Sequence, residues 1–208
     1  AGLTAEGLLL IDSGAQYLGG TTDITRVWAI GTPTAAQKRD YTLVLKGTLG
    51  LSRMRFPQGT LAPMLDAVAR APLWAEGLDF GHGTGHGVGY FLNVHEGPQS
   101  ISKAVPVPDM AMLPGMITSI EPGLYRPGQW GIRIENLVLN VPVTPAVRVP
   151  GVSSYCTTIF APGRSRRRRN GRSPRRCRSR RRRIGVRRIG VRSVGVRSVH
   201  RRRVDRQQ

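Results

Sequence analysis

The chain has 208 residues and a formal net charge of +20, but that charge sits at one end. Residues 1–150 balance 11 basic against 11 acidic side chains, whereas residues 151–208 hold 21 Arg, no Lys and a single acid, Asp205. The high overall basicity therefore does not make the front segment a nucleic-acid binder. The longest early apolar run, Leu8 to Ile11, is far too short to span a membrane. Residues 1–150 contain no Cys, which excludes a disulfide scaffold or a thiolate metal site there. No basic leader precedes the apolar run, so the expectation is a soluble, cytoplasmic protein with no membrane association.

In chain order, residues 7–12 read as a short buried strand, Gly19-Gly20 as a turn and residues 24–30 as a second strand, together a hairpin. Thr34 and Gln37 form a capping box ahead of a helix over residues 35–52. Its buried face is expected to carry Tyr41, Val44, Leu45, Thr48 and Leu49. A second helix is expected after Thr60, with Leu61, Met64, Leu65 and Val68 inward. Residues 81–89 read as a glycine-punctuated strand or strand-like loop, and the proline-rich residues 97–115 as an extended connection. Residues 116–120 and 131–141 then form the arms of a second hairpin around Pro122, Gly123, Pro127 and Gly128. The fold class is α+β.

From Val143 onward the pattern gives way to arginine. The domain reading is therefore a folded unit over 1–142 and an Arg-rich, low-complexity tail over 143–208, expected to be disordered through self-repulsion and sparse apolar content. The repeats Arg183-Ile-Gly-Val-Arg, Arg188-Ile-Gly-Val-Arg and Ser193-Val-Gly-Val-Arg present no apolar face at period 2 or 3.6. The tail reads either as out-of-frame translation of GC-rich DNA or as a genuine basic arm. Such an arm would bind nucleic acid electrostatically and unspecifically, since it has too few aromatics to stack bases.

The two hairpins resemble each other chemically, as in a duplicated half-domain: Asp12 and Asp23 flank one turn, Glu121 and Glu135 the other. Carboxylates beside apolar strands are costly unless paired or bound to metal. Taken singly, each is accounted for by a strand cap or by an Arg such as Arg26 or Arg133. His82 and His86, four apart in Gly-His-Gly-Thr-Gly-His-Gly, point to one face if the segment is extended, and the glycines leave both imidazoles unobstructed. His95 alone reads as an ordinary loop histidine. Four acids brought together would repel and raise each other's pKa. Two divalent cations would cancel that charge, and one imidazole with four carboxylates suits Mn, Co or Fe. Such a pair of ions can hold a hydroxide and polarise a carbonyl, the two-metal route to hydrolysis.

Six motifs follow in order: Asp12-Ser-Gly-Ala-Gln-Tyr, Thr22-Asp23-Ile-Thr-Arg, Asp79-Phe-Gly-His-Gly-Thr-Gly-His-Gly-Val-Gly, Asn93-Val-His-Glu-Gly-Pro, Ser119-Ile-Glu-Pro-Gly-Leu-Tyr and Gly131-Ile-Arg-Ile-Glu-Asn. The series closely resembles the catalytic domain of aminopeptidase P, the Xaa-Pro aminopeptidases of the pita-bread metallopeptidase fold, over residues 1 to about 142. The resemblance implies five ligands for two divalent ions, usually manganese: Asp12, Asp23, His86, Glu121 and Glu135. Asp23 and Glu135 would bridge both ions, Asp12 would hold one, and His86 with Glu121 the other. A bridging hydroxide would attack the carbonyl before proline, with Glu121 as proton acceptor. His82 and His95 match substrate-side histidines that shape the proline pocket and stabilise the oxyanion. Tyr125 and Arg133 would support the ligands. The implied partners are peptides with proline second, and a homo-oligomeric assembly for full-length members.

The sequence also departs from that pattern. Family members place another substrate-side His upstream of the first metal Asp, but only 11 residues precede Asp12 and none is His. The helices that open the catalytic domain, and the non-catalytic domains before them, are likewise expected but not found in this sequence. A pita-bread pseudoenzyme that binds peptides or partners, and a nucleic-acid role for residues 151–208, are the competing readings. The presence of all five ligand residues favours the peptidase.

Overall fold

In the computed structural model, β1 (Gly7–Tyr17) and β2 (Gly20–Ile30) form one antiparallel ribbon, paired from Gly7↔Ile30 to Tyr17↔Gly20. Gly19, at φ +84°, supplies the left-handed turn that closes it. The ribbon outruns the apolar pattern because the ladder over residues 13–24 needs only backbone pairing, and most of those side chains are exposed. The structure describes residues 2–3, 5–144 and 154–160. The arginine tract, and with it the expectation of a disordered or nucleic-acid-binding tail, lies outside the described residues.

α1 (Ala35–Ser52) starts at the expected capping box: Gln37 N donates to Thr34 Oγ1 at 3.2 Å, and Thr34 N to Gln37 Oε1 at 2.8 Å. Its buried face is rotated from the one expected. Asp40, Leu43, Gly47 and Leu51 join Val44 and Thr48 inside, while Tyr41, Leu45 and Leu49 are only half-buried. Two tertiary contacts impose this phase. Asp40 is fully buried because Arg126 grips it in a fork at 2.6 and 2.9 Å and Trp130 Nε1 donates to it at 3.0 Å. Gly47 faces the neighbouring helix so closely that a Cβ there would stand 2.3 Å from Ala69 O.

That neighbour opens as a 3-10 turn, Ala62–Leu65, and continues as α2 (Asp66–Trp74). The tighter turn shifts the helical phase, so Met64, expected inside, is 63% exposed. Leu65, Ala69, Arg70 and Leu73 are buried instead.

β3 (Arg55–Pro57), β6 (Ile117–Ile120), β9 (Asn136–Val143) and β10 (Tyr155–Phe160) build an antiparallel sheet in the order β3-β10-β9-β6. β10 falls beyond the boundary that composition placed at residue 142, yet it is a central strand, with Cys156 buried opposite Phe56 and Pro142. Its short apolar stretch is masked in the sequence by the arginines that follow.

β4 (Gly85–His86) pairs with β5 (Ser100–Ile101), so only two residues of the glycine-rich run are strand. The second hairpin is broken in two. β6 pairs with β9, and a smaller ribbon of β7 (Gly123–Arg126) and β8 (Trp130–Arg133) is inserted between them. Pro122, which lacks an N–H, ends the first arm. The breaks leave Glu121 and Glu135 at the two junctions between the large sheet and the small ribbon.

One core cluster gathers Leu51, Phe56, Leu65, Ile120 and Val138, and a second gathers Leu43, Val44, Leu73, Leu124 and Ile132. α1 contributes to both and fixes the ribbons against the sheet. No helix among the described residues is long and apolar enough to cross a membrane.

Candidate metal and peptide site

The acids of the first ribbon share a face by register. Asp12 pairs with Thr25, and Asp23 lies two residues before Thr25 on the same strand, so the two carboxylates are diagonal neighbours. Glu121 leaves the end of β6, Glu135 enters β9 and is 1% exposed, and His86 lies on β4. Three overlapping groups result: Asp12, Asp23 and Glu135; His86, Glu121 and Glu135; Asp23, His86 and His95. Within each group the ligating atoms lie within 4.8 Å of one another. All five expected ligand residues therefore meet at one place. Asp23, His86 and Glu135 are central to it, each belonging to two groups.

Electrostatics divide these side chains. Glu135 Oε2 accepts from Thr25 Oγ1 at 2.7 Å, while Oε1 is buried without a partner. Burial, joined by the charges of Glu121, Asp23 and Asp12, pushes the Glu135 carboxyl up to about 7 against the pull of Thr25. Burial and the neighbouring Asp12 likewise raise Asp23. Burial would also raise Glu121, but His86 and a 3.1 Å hydrogen bond from Ser119 Oγ hold it below its ordinary range.

His86 Nδ1 lies 2.9 Å from Gly87 O and must donate to it, since a carbonyl only accepts. Nε2 faces Glu121 Oε1 at 3.1 Å and Asp23 Oδ2 at 3.6 Å, yet is buried without an aligned hydrogen bond. Burial would lower the His86 pKa, but Glu121, Gly87 and Asp23 together raise it.

Around this centre Arg133 is the hub. It donates from Nη2 to Asp12 Oδ2 at 2.7 Å, from Nε to Thr25 Oγ1 at 3.2 Å and from Nη1 to the Tyr125 hydroxyl at 3.1 Å. Asp12 is thus paired with an arginine, as sequence reasoning allowed. Arg26 forms no salt bridge with an acid among the described residues. It donates to Thr25 O at 2.8 Å, to Asn136 Oδ1 at 2.7 Å and to Glu135 O, tying β2 to β9. Tyr125 touches His82 and Arg133 rather than a carboxylate.

Two residues escaped sequence reasoning. Thr25 links Arg133 to Glu135, and Ser119 accepts from His86 N at 3.0 Å while donating to Glu121. Strand alternation carried the signal in both cases, each lying two residues from an expected acid.

A cavity of about 420 Å³ opens beside the cluster, lined by His82, Gly83, His86, His95, Glu121 and Arg133 among others. His82 reaches it from outside the strand, correcting the shared strand face expected for the two histidines. Its Nδ1 donates to Gly83 O at 2.7 Å, which leaves Nε2 to accept from the Tyr125 hydroxyl at 2.7 Å. The His95 ring packs edge-on against His86, with centroids 4.3 Å apart. Four carboxylates, one imidazole and two buried orphan atoms form a hard, oxygen-rich donor set that suits divalent cations.

Comparison with known proteins agrees with this chemistry. The family model for metallopeptidase family M24 matches residues 1–141. A probable Xaa-Pro aminopeptidase P of Verticillium alfalfae is 56% identical over 134 residues, which cover 64% of this chain and 22% of that protein. The structure of the X-prolyl aminopeptidase of Caenorhabditis elegans, a cytosolic enzyme with a di-nuclear active site, superposes with a TM-score of 0.67 at 42% identity. That match covers 74% of this chain and 24% of the other. The prolidase of Pyrococcus furiosus matches at a TM-score of 0.60 and 31% identity over 76% of this chain and 42% of its own. The chain thus spans about a fifth to a quarter of the length of its aminopeptidase relatives.

Proposed function

Because the chain belongs to metallopeptidase family M24, with a pita-bread fold over the matched residues, we propose that it carries the catalytic centre of an Xaa-Pro aminopeptidase. Its substrates are peptides with proline second, from which it releases the N-terminal residue. The observation that carries this reading is the pair of buried orphan atoms, Glu135 Oε1 and His86 Nε2, inside a four-carboxylate cluster. Asp12, Asp23, His86, Glu121 and Glu135 would hold two divalent cations. Manganese suits that set. When bound, the ions supply water activated at neutral pH and Lewis acidity toward the scissile carbonyl.

The chain's own residues do the rest. Glu121 stays ionised and accepts the proton that the attacking water gives up, and the prolyl nitrogen gains one as the C–N bond breaks. His95, beside His86, donates toward the carbonyl oxygen as charge develops there. His82 has both ring nitrogens engaged and serves as a wall for the proline ring. Arg133 and Thr25 orient Asp12 and Glu135. A cytoplasmic location matches the cytosolic relative.

The test is calorimetric titration with Mn²⁺ alongside release of the first residue from an Xaa-Pro peptide. Glu135→Ala should lose both metal binding and hydrolysis. His95→Ala should keep its Mn²⁺ affinity within about tenfold while losing turnover. Equal loss of metal from the two variants would sink the assigned roles. Peptide binding by the metal-loaded chain without cleavage would put a pseudoenzyme in its place.

A further inference from the structure

One buried cation takes no part in the metal cluster. Arg70 on α2 is 1% exposed, and its guanidinium spends its donors in one direction. Nε donates to Asp66 Oδ2 at 2.6 Å, Nη1 to Asp79 Oδ1 and Phe80 O at 2.7 Å each, and Nη2 to His82 O at 2.7 Å. Cζ lies 3.8 Å from the centre of the Phe80 ring. Asp66, in turn, accepts from Thr84 Oγ1 at 2.5 Å, which pins the far end of the same segment.

An ion pair that served the fold alone would need only Asp66. The bonds to Phe80 O and His82 O require another account. They immobilise Gly81-His82-Gly83, a stretch whose glycines would otherwise leave the backbone free. That stretch also divides two cavities. His82 and Gly83 line both the cavity of about 420 Å³ at the acid cluster and a second of about 260 Å³ lined by Arg70, Phe80, Gly81 and Lys103. Movement of His82 O would carry the imidazole away from Tyr125 and open the partition.

We propose that Arg70 is a positioning residue of the site, acting through His82. Its planar fork holds the two carbonyls that set where the His82 ring stands. This rests on reading the larger cavity as the peptidase centre. Lysine could keep the pairing with Asp66, and so the Thr84 end, but its point charge does not reproduce a fork onto two carbonyls and a second carboxylate.

The experiment compares the full chain with R70K, H82A and the double variant, all loaded with Mn²⁺. R70K should unfold cooperatively and bind Mn²⁺ like the parent, while amide exchange accelerates at residues 80–84 and not in α1. Its kcat/KM on an Xaa-Pro peptide should fall about tenfold to a hundredfold, chiefly through KM. In the H82A background R70K should cause little further loss, because the two changes act through one group. Persistence of the full R70K effect in H82A, or loss of Mn²⁺ binding in R70K, would overturn the proposal. If the parent chain hydrolyses nothing, the peptidase reading fails by itself, and exchange at residues 80–84 with the His82 ring NMR signals still decides the positioning role. Unchanged exchange and ring signals in R70K would then refute it. Should R70K fail to fold, D79A removes the acceptor of one arm of the fork at a part-exposed acid and should show the same confined exchange change at residues 81–84, and its absence would count against the proposal.

Discussion

The molecule holds two kinds of acid cluster, and they are neutralised differently. Around Arg70, Asp66 and Asp79 meet a guanidinium at 2.6 and 2.7 Å, with Lys103 at 2.5 Å completing the set, and Asp40 is gripped by Arg126. At the candidate metal site, Asp12, Asp23 and Glu121 meet Arg133 or His86, and the Glu135 carboxylate has no salt bridge among the described residues. The pKa values diverge accordingly. The Arg126 hydrogen bonds lower Asp40 despite its burial, and Asp79 is lowered against burial by Lys103 and Arg70. Asp23 and Glu135 are raised, by burial first and then by neighbouring carboxylates, Asp12 and Glu121 acting on Asp23 and Glu121, Asp23 and Asp12 on Glu135. The first kind of cluster finds its positive charge within the chain. The second holds more negative charge than its neighbours match among the described residues, and the proposed cations would supply the difference.

Breaking each cluster should therefore have opposite consequences for the metal-free protein. Asp66→Ala strips the buried Arg70 guanidinium of the buried one of its two carboxylates and should cost about 3–5 kcal/mol in urea unfolding. Glu135→Gln removes a buried negative charge from among like charges and should leave the metal-free protein as stable as the parent or more so, while its Mn²⁺ binding collapses. Equal destabilisation by the two variants would erase the distinction.

The pH dependence sharpens the same contrast. The Glu135 carboxyl titrates near 7 in the folded chain against 4.5 ordinarily, so between those values the unfolded chain binds fewer protons than the folded one. Its contribution to stability is then lost as pH rises, by about 3 kcal/mol across the window. Asp40 runs the other way. Its lowered pKa gives stability that is present above the ordinary value of 3.8 and is lost as pH falls through the folded one. Urea unfolding of chelator-treated protein from pH 4 to 8 should show the falling limb, and Glu135→Gln should flatten it. A limb unchanged in that variant would assign it to another group.

The smallest effect is expected at the link between ligands and scaffold. Thr25→Val removes the hydroxyl between Arg133 and Glu135 and should weaken Mn²⁺ binding by about 10- to 100-fold, with only about 1 kcal/mol of stability lost. A calorimetric titration that left affinity unchanged would show that Glu135 needs no such support.

What could be read from the chain by itself was whatever is decided over a few residues. Thr34 and Gln37 mark the start of α1 because a capping box closes within one turn. The five expected ligand residues were recognisable because their type and their neighbours in the motif carry the signal. The tertiary structure alone decided what depends on groups far apart in sequence. It turned α1 so that Asp40 meets Arg126, seated β10 between β3 and β9, split the second hairpin at Glu121 and Glu135, and set Thr25 against a glutamate 110 residues away. Those outcomes follow from which surfaces exclude water together and which donors are then left to satisfy buried acceptors. Local propensity holds no record of either.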